Sequence, residues 1–573
     1  MSLADVTIER GKPLRVRLAL LALAALLVVP QLFQAPLSPS EGLATGAARE
    51  MRTEGDVTSL RFLGRPAHQN PLHVWFLAAF DLGNAPAWAV RLPSVAAWLI
   101  LAGLAYWGAS TSAGTLAGML AALIPLTSIA GIAFASRASS EMWFASLLFA
   151  SWLCWYHLGV IRERWNWAWG SAVPLVALAF FAGGTRAFVF FYLPLLLLQT
   201  PIKAREQMLR WGHLLALVPV LALCGAWMAH SLQHAEVVTW PQLVERAVQA
   251  QEGGSYRRRL WQFPLHLLGW GLPWVIFAWP AFCLAFRNRE KDGGKASYFR
   301  AVMVILFVAC WLLSGLSGES LLVLLGPFAV LTAMNYECLL RRHAGTYRRL
   351  LRYLSFIGAA TAVAAAAGSV LLLTGWMKIS ELTPFQISFV SANAVVSGGL
   401  AALLLLRTER AIWVRVLLLM GVVVTSHRCF ELPVQELRGG SPARIARRLS
   451  AHVPPANPIY VAGDLPIADV AHYINRALVP WDHTVSATRR NPRIHLLTGG
   501  APPVREDLQW RPLGRPVTLG GEAIPVRAAW NPSAGTLFEI TGASPQNKTE
   551  AEHTGAKWVQ LYEGTPRTLG AEP

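Results

Sequence analysis

The sequence predicts a polytopic α-helical membrane protein with a small α/β domain at its carboxyl end. Of the 573 residues, 54% are hydrophobic and only 14% are charged, and the mean hydropathy is +0.41. These values are typical of integral membrane proteins rather than soluble enzymes. About thirteen apolar runs have the composition of membrane spans, and basic residues are concentrated in every second connection between them.

The predicted spans are bounded to within several residues. They lie near 17–33, 92–108, 113–132, 142–160, 168–184, 187–200, 212–231, 263–286, 301–316, 321–340, 353–374, 388–406 and 411–426. A basic patch precedes the first run and no cleavage signal follows it. We therefore expect an uncleaved first span and a cytoplasmic amino terminus.

The positive charges test this topology. Lysine and arginine cluster in the connections near 162–164, 203–210, 287–300, 341–352 and 407–410. With a cytoplasmic amino terminus, all five connections lie inside, as the positive-inside rule requires. The segments 34–91, 133–141, 185–186, 232–262, 317–320 and 375–387 then lie outside. The net charge of +18 thus reports topology, and no nucleic-acid partner is expected.

The chain divides into a transmembrane domain, 1–426, and a domain outside the membrane, 427–573. In the second part proline, glycine and polar residues increase, and short β-like runs (459–461, 494–497, 516–519 and 537–540) alternate with helix-like stretches such as 467–476. This pattern predicts a small α/β domain tethered to the last span. Its final thirty residues, 544–573, are expected to be loosely ordered.

The outer loop 34–91 begins with a helix-start signal. Ser38, Pro39 and Glu41 have the spacing of a capping box with proline at the first helical position. Apolar residues then recur every four positions from Leu43 to Met51, with charged residues on the other faces. A helix at the membrane surface is the prediction.

Ionisable side chains at the ends of spans are costly unless they pair or function. One function that such side chains could serve is the transfer of a group from a lipid phosphate to a hydroxyl. A site of this kind would need a carboxylate to accept the hydroxyl proton and cations to hold the phosphate. The candidate catalytic carboxylates are Glu41 and Glu141. The candidate substrate-binding side chains are Arg186, Arg257, Arg258, Arg259, Asn70, His68 and Arg137.

Each charged candidate has a structural alternative. Glu41 has the position that closes the capping box, and Glu141 has Arg137 within reach as an ion-pair partner. Arg186 has the length to extend to lipid headgroups, and the run 257–259 has the charge to bind anionic lipid.

No metal site is predicted. The six cysteines lie singly and have no metal-ligand spacing,. His68 and His73 are interpreted as structural residues rather than ligands. No cofactor is required by the sequence, and a divalent metal ion at the carboxylates is left open.

Short motifs accompany these candidates. Arg49-Glu50-Met51 ends the surface helix, Arg91-Leu92-Pro93-Ser94 opens the second span, and Leu272-Pro273-Trp274 follows the large outer loop. With them the chain resembles the GT-C membrane glycosyltransferases related to aminoarabinose (lipid A) transferase and protein O-mannosyltransferase. The resemblance extends from the first span to the outer domain.

The resemblance also implies roles for single residues. The Asp-Glu pair that opens the family's first outer helix corresponds to Ser40-Glu41. An aspartate at the start of the fourth span corresponds to Glu141, and a lysine near the sixth span to Arg186. The family's phosphate-contacting lysine corresponds to Asn70.

The implied function is a hexosyl or pentosyl transfer in the bacterial inner (plasma) membrane. The donor is a polyprenyl-phosphate-linked sugar, and the acceptor is a hydroxyl of a lipid, glycan or protein at the periplasmic face. Because Ser40 has no carboxylate and Asn70 no charge, a catalytically silent relative that binds polyprenyl lipid or scaffolds envelope-glycan assembly is the alternative. A transporter is disfavoured, since no half of the chain is repeated.

Overall fold

The fold is seen in a computed structural model. It describes residues 28–29, 32, 37–58, 60–67, 69–197, 204–233, 255–272, 274–283, 292–312, 318–379, 382, 384–406, 415, 418–426, 428–429, 442–455, 457–463, 465, 467–474, 476–482, 493–498, 502–503, 508–519, 526–531, 536–542 and 557–566.

The described part of the chain is mostly helical. Its α-helices are α1 (Pro39–Glu54), α2 (Pro71–Ala79), α3 (Ala87–Val90), α4 (Leu92–Ala113), α5 (Thr115–Thr127), α6 (Ile129–Ala135), α7 (Ser140–Cys154), α8 (Trp165–Gly183), α9 (Arg186–Leu197), α10 (Ala204–Met208), α11 (Trp211–Gln233), α12 (Ser255–Trp270), α13 (Val275–Ala278), α14 (Gly293–Leu312), α15 (Leu325–Leu373), α16 (Pro384–Leu406), α17 (Pro442–Ala451) and α18 (Ala468–Ala471).

Seven helical segments among the described residues are long and apolar enough to cross a membrane, and α5 with α6, which meet at 59°, add an eighth if they form one broken span. The chain is therefore a multi-pass membrane protein. The predicted runs 92–108, 142–160, 168–184, 212–231, 301–316 and 388–406 each lie largely within one helix. Most of the first run, 17–33, and part of the last, 411–426, lie outside the described residues.

In two places the helix bounds differ from the predicted runs. The runs 321–340 and 353–374 are joined in one continuous helix, α15, of 49 residues. The connection between them contains no proline and is rich in arginine and leucine, which favour a helix. The run 263–286 is divided, because α12 ends at Trp270 and a separate short helix, α13, begins at Val275.

Aromatic side chains and glycines hold the membrane helices together. Trp155 lies fully buried with its ring centroid 5.8 Å from those of Trp169 and Tyr298. Gly183 of α8 packs so closely on Phe144 of α7 that an added Cβ would lie 2.3 Å from the ring. Glycine at this position permits the close helix approach that fixes the ends of α7 and α8 near the site described below.

A surface layer, residues 37–91, covers one end of this bundle. The capping box is confirmed: Pro39 is the first residue of α1, the Glu41 N–H donates to Ser38 Oγ, and the Ser38 N–H donates to Glu41 Oε2. The apolar face of α1 is buried against α2, with Ala47 and Met51 in a common cluster with Leu77. The amphipathic pattern therefore predicted this helix correctly.

The carboxyl-terminal region contains a five-stranded mixed sheet of order β5-β4-β6-β10-β7. Its strands are β4 (Ile459–Val461), β5 (Leu478–Pro480), β6 (Ile494–Thr498), β7 (Leu508–Leu519) and β10 (Lys557–Pro566). The expectation of a loose end was wrong for β10, which pairs antiparallel with both β6 and β7. The predicted helix 467–476 is shorter than expected, since α18 has only four residues.

A second sheet joins the membrane helices to this region. Strand β3 (Met377–Ile379) lies between α15 and α16 and pairs in parallel with β9 (Thr536–Gly542), which pairs in turn with β8 (Val526–Asn531). A two-stranded ribbon, β1 (Arg61–Phe62) and β2 (Arg65–Pro66), completes the surface layer. The connection between two spans is thus part of the carboxyl-terminal sheet structure.

Candidate functional site

Glu41, the third residue of α1, is fully engaged. Its Oε1 accepts hydrogen bonds from Arg91 Nε (2.9 Å) and from the Ala138 N–H (2.6 Å). Its Oε2 accepts from Arg91 Nη2 (3.2 Å) and from the Ser38 N–H (2.7 Å). With 2% of Glu41 and 1% of Arg91 exposed, four donors surround a buried carboxylate.

The electrostatics of Glu41 follow from these contacts. Burial raises the pKa of the Glu41 carboxyl. The charge and hydrogen bonds of Arg91 and the hydrogen bonds from the N–H groups of Ser38 and Ala138 lower it. Together these contacts outweigh burial, so the pKa lies below its ordinary value. Glu41 is therefore ionised near neutral pH. Arg91 also donates through Nη1 to the Leu32 carbonyl at 3.1 Å.

The Ala138 contact fixes the turn that leads into α7. One residue further on, the Ser139 N–H donates to Ser94 Oγ at 3.0 Å, and Ser94 Oγ donates to the Ser139 carbonyl at 3.1 Å. Ser139 is the N-cap of α7, since its Oγ accepts from the Glu141 N–H. Residues 138–139 are thus held by α1 and α4, and they determine where Glu141 begins.

Glu141 and Arg186 form the second ion pair. Arg186 Nη2 contacts Glu141 Oε1, Arg186 Nε donates to the Gly183 carbonyl at 2.8 Å, and the guanidinium lies 4.5 Å from the centre of the Phe144 ring. Glu141 Oε2 is buried and has no hydrogen-bond partner within the described part of the chain. Unlike Glu41, Glu141 retains an open acceptor atom.

Asn70 lies beside this pair. Its Nδ2 donates to Ser140 Oγ at 3.1 Å, so the surface layer contacts the first turn of α7 next to Glu141. The predicted residues Glu141, Arg186 and Asn70 are therefore brought together, and Glu41 is joined to them through residues 138–139. The sequence analysis did not assign Arg91 to the site. The available signal was an arginine at the start of a predicted span together with Glu41 in the first turn of the surface helix.

The other predicted residues are placed less closely. Arg137 is exposed, and Glu141 pairs with Arg186 rather than with Arg137. His68 lies outside the described residues, and for Arg257, Arg258 and Arg259 only the helical backbone at the start of α12 is described. No group of three metal-binding side chains occurs among the described residues.

His73 of α2 is a buried histidine of the surface layer. It is 3% exposed, and neither ring nitrogen has a hydrogen-bond partner in the described ranges. Burial lowers the pKa of His73 to about 4, against a smaller opposite effect of Glu41. A neutral imidazole near neutral pH follows.

An apolar cavity of about 290 Å³ lies between α6, α12, α14 and the start of α15. Its lining includes Ala130, Leu267, Trp270, Met303 and Phe328. Helix α14, which borders the cavity at Met303, also contacts α9, the helix that begins at Arg186.

Leu272 and Trp274 contact the break between α5 and α6. The Ile129 N–H donates to the Leu272 carbonyl at 3.3 Å, and Trp274 Nε1 donates to Thr127 Oγ1 at 2.8 Å. Both bonds fall at the break between α5 and α6, so Leu272 and Trp274 hold the bend.

The membrane bundle, its surface layer and the carboxyl-terminal sheet together have a GT-C-like fold. The particular likeness is to ArnT from Cupriavidus metallidurans. Its structure bound to undecaprenyl phosphate gives a TM-score of 0.63 at 14% identity, over 84% of this chain and 92% of that one. The apo structure gives 0.59 at 16% identity over the same shares.

The sequence comparison agrees with the fold. The undecaprenyl phosphate-alpha-4-amino-4-deoxy-L-arabinose arabinosyl transferase of Erwinia tasmaniensis is 24% identical over 381 residues, which are 61% of this chain and 63% of the relative. The chain is thus aligned with less than two thirds of that relative. No family model matches the chain.

Proposed function

We propose that this protein is a membrane glycosyltransferase. It transfers a pentose or hexose from a polyprenyl-phosphate donor to a hydroxyl of a lipid, glycan or protein. The single observation that carries the proposal is the Glu141–Arg186 pair at the starts of α7 and α9, in which a carboxylate with one buried oxygen unpartnered among the described residues lies beside a cation. The arabinosyl transferase from Erwinia tasmaniensis supports the choice of donor class.

In this proposal Arg186 binds the donor phosphate. A guanidinium has five N–H donors and can contact two anions, so it can hold a phosphate while it remains paired with Glu141. The basic run 257–259 at the start of α12 adds positive charge for the same anion. The apolar cavity along α14 takes part of the prenyl chain, since its lining offers hydrocarbon surface,.

The reaction then forms one bond and breaks one. The acceptor oxygen bonds to the sugar C1, the bond between C1 and the phosphate oxygen breaks, and that electron pair leaves with the polyprenyl phosphate. Glu141 Oε2 accepts the acceptor's hydroxyl proton. Arg186 stabilises the charge that develops on the leaving phosphate.

Glu41 has a different role in this scheme. Its two oxygens already accept four hydrogen bonds, so little capacity is left for a substrate proton. We assign it the positioning of residues 138–141 and leave the proton transfer to Glu141. Asn70 orients Ser140 beside the site, whereas Arg137, on the exposed turn, and His68 are retained as candidate contacts to substrate.

The proposed topology follows the positive charges. The amino terminus lies in the cytoplasm, and the surface layer and carboxyl-terminal region lie on the periplasmic side of the bacterial plasma membrane. The site is then open to the periplasmic leaflet. No metal ion is assigned to the reaction.

The test is transfer in proteoliposomes. A pool of labelled polyprenyl-phosphate pentoses and hexoses, which includes undecaprenyl phosphate-4-amino-4-deoxy-L-arabinose, serves as donor, and envelope lipids serve as acceptors. Glu141→Gln should lower the transfer rate by about 100-fold or more with undecaprenyl phosphate binding retained. Arg186→Ala should weaken that binding by about 10- to 100-fold. Arg162→Ala is the matched control, because Arg162 is exposed and lies eight residues after the end of α7, far along the chain from Glu141.

Two outcomes reject the proposal in different ways. If the wild type binds undecaprenyl phosphate but transfers none of the sugar, the catalytically silent relative is favoured. If transfer persists in both Glu141→Gln and Arg186→Ala, the site assignment is wrong.

A further inference from the structure

The carboxyl-terminal region contacts the surface layer at the helix that carries Glu41. Helix α18 packs directly on the first turn of α1: a Cβ added to Gly42 would lie 2.1 Å from the Ala468 carbonyl oxygen and 2.6 Å from the Asp469 nitrogen. Only glycine permits two backbones to approach so closely. Residue 42 is therefore a contact point between regions more than 400 residues apart in sequence.

A hydrogen bond reinforces this contact. The Leu37 N–H, just before the capping box, donates to Tyr473 Oη at 3.1 Å. The segment 468–473 thus contacts both the first turn of α1, which carries Glu41, and the residue just before its capping box.

A series of hydrogen bonds connects this contact to the turn before Glu141. Tyr473 holds Leu37, and the next residue, Ser38, donates to Glu41. Glu41 accepts from the Ala138 N–H, and Ala138 lies three residues before Glu141. Arg186 pairs with Glu141, but it is also held by the Gly183 carbonyl and the Phe144 ring, and these two contacts do not belong to this series.

We infer that the segment 468–473 positions Glu141 for catalysis through α1 and Glu41, and that Tyr473 and Gly42 are positioning residues. The inference rests on the proposed transferase function for its kinetic consequence. Because Arg186 has its own contacts to Gly183 and Phe144 besides the pair with Glu141, loss of the contact should displace Glu141 more than Arg186 and should change phosphate binding little. The carboxyl-terminal region thereby affects the rate of the chemical step more than the affinity for the lipid.

The variants are Tyr473→Phe, which removes the acceptor oxygen and keeps the ring, and Gly42→Ala, which places a methyl group against Ala468. Tyr460→Phe, on β4 of the same region, and Gly103→Ala, a position on α4 with no atom within 4 Å, are the matched controls. Tyr473→Phe is the milder change and tests the inference if Gly42→Ala fails to fold.

Two measurements on the full chain are needed. Hydrogen exchange of peptides that cover 136–139 reports the bond from Ala138 to Glu41 whether or not the protein transfers sugar. We expect exchange about 3- to 10-fold faster in both variants and unchanged in the controls. In proteoliposomes, kcat should fall by a similar factor, with the Kd for undecaprenyl phosphate within about twofold of wild type.

Unchanged exchange at 136–139 in both variants would overturn the inference, because the contact would then not reach the turn. Faster exchange with unaltered kcat would also overturn it, since the turn would be held without positioning the site. If the wild type makes no product, the proposed function fails by that result alone, and the exchange data still decide whether the contact holds the turn.

Discussion

Replacement of Glu41 by glutamine should destabilise the protein strongly. Of the four N–H donors around the carboxylate, the amide oxygen of glutamine keeps at most two, and its NH2 group faces the others. Each lost bond to a charged group contributes about 1.5 to 3 kcal/mol. The sum agrees with the loss of about 3 to 5 kcal/mol expected when a buried ion pair is broken.

The assay is thermal and denaturant unfolding of the purified protein in detergent. Asp81→Asn is the control. Asp81 pairs at 3.4 Å with Arg52 of α1, the helix that carries Glu41, but about half of each side chain is exposed. An exposed pair contributes less than about 1 kcal/mol. If Glu41→Gln changes stability no more than Asp81→Asn does, the reasoning about the buried pair is refuted.

Three further predictions follow from single contacts. Burial lowers the pKa of His73 from 6.5 to about 4, so the free energy of unfolding should decrease by about 3 kcal/mol as the pH falls from about 6.5 towards 4. His73→Leu should remove this pH dependence of the melting temperature, and an equal dependence in wild type and variant would contradict the prediction. Gly183→Ala should destabilise by about 1 to 3 kcal/mol through overpacking on the adjacent ring and weaken undecaprenyl phosphate binding, whereas Gly170→Ala on the same helix meets no atom within 4 Å and should do neither. Trp274→Phe should lower the free energy of unfolding by about 0.5 to 1.5 kcal/mol. Adding Thr127→Val should lower it little more, since both changes remove the same hydrogen bond.

Local signals in the sequence were sufficient for part of the fold. The capping box at Ser38 and Glu41 depends on residues three apart, so its spacing alone identified the start of α1. Apolar runs identified most of the membrane helices in the same way. Where a run was interrupted by charge without a helix breaker, as within α15, hydropathy indicated two segments but could not exclude one continuous helix.

Partners distant in sequence were not predictable. Glu41 pairs with Arg91, 50 residues later, and Glu141 pairs with Arg186, 45 residues later. The sequence offered Arg137 as a nearer partner for Glu141, but helix packing, which places α9 beside α7, determines the outcome. The pairing of β3 with a strand beyond residue 530 is non-local for the same reason.

The two carboxylates differ in what remains open to a substrate, and this difference is the basis of the functional assignment. A side chain that accepts four hydrogen bonds at 3% exposure is constrained by the fold, and its removal should affect stability first. A carboxylate with one buried oxygen unpartnered among the described residues retains capacity for a ligand. Glu41→Gln should therefore be recovered by stabilising conditions, whereas Glu141→Gln should remain inactive in a fully folded protein. Comparison of transfer rates per folded molecule for the two variants separates these cases, and equal loss in both would reject the division of roles.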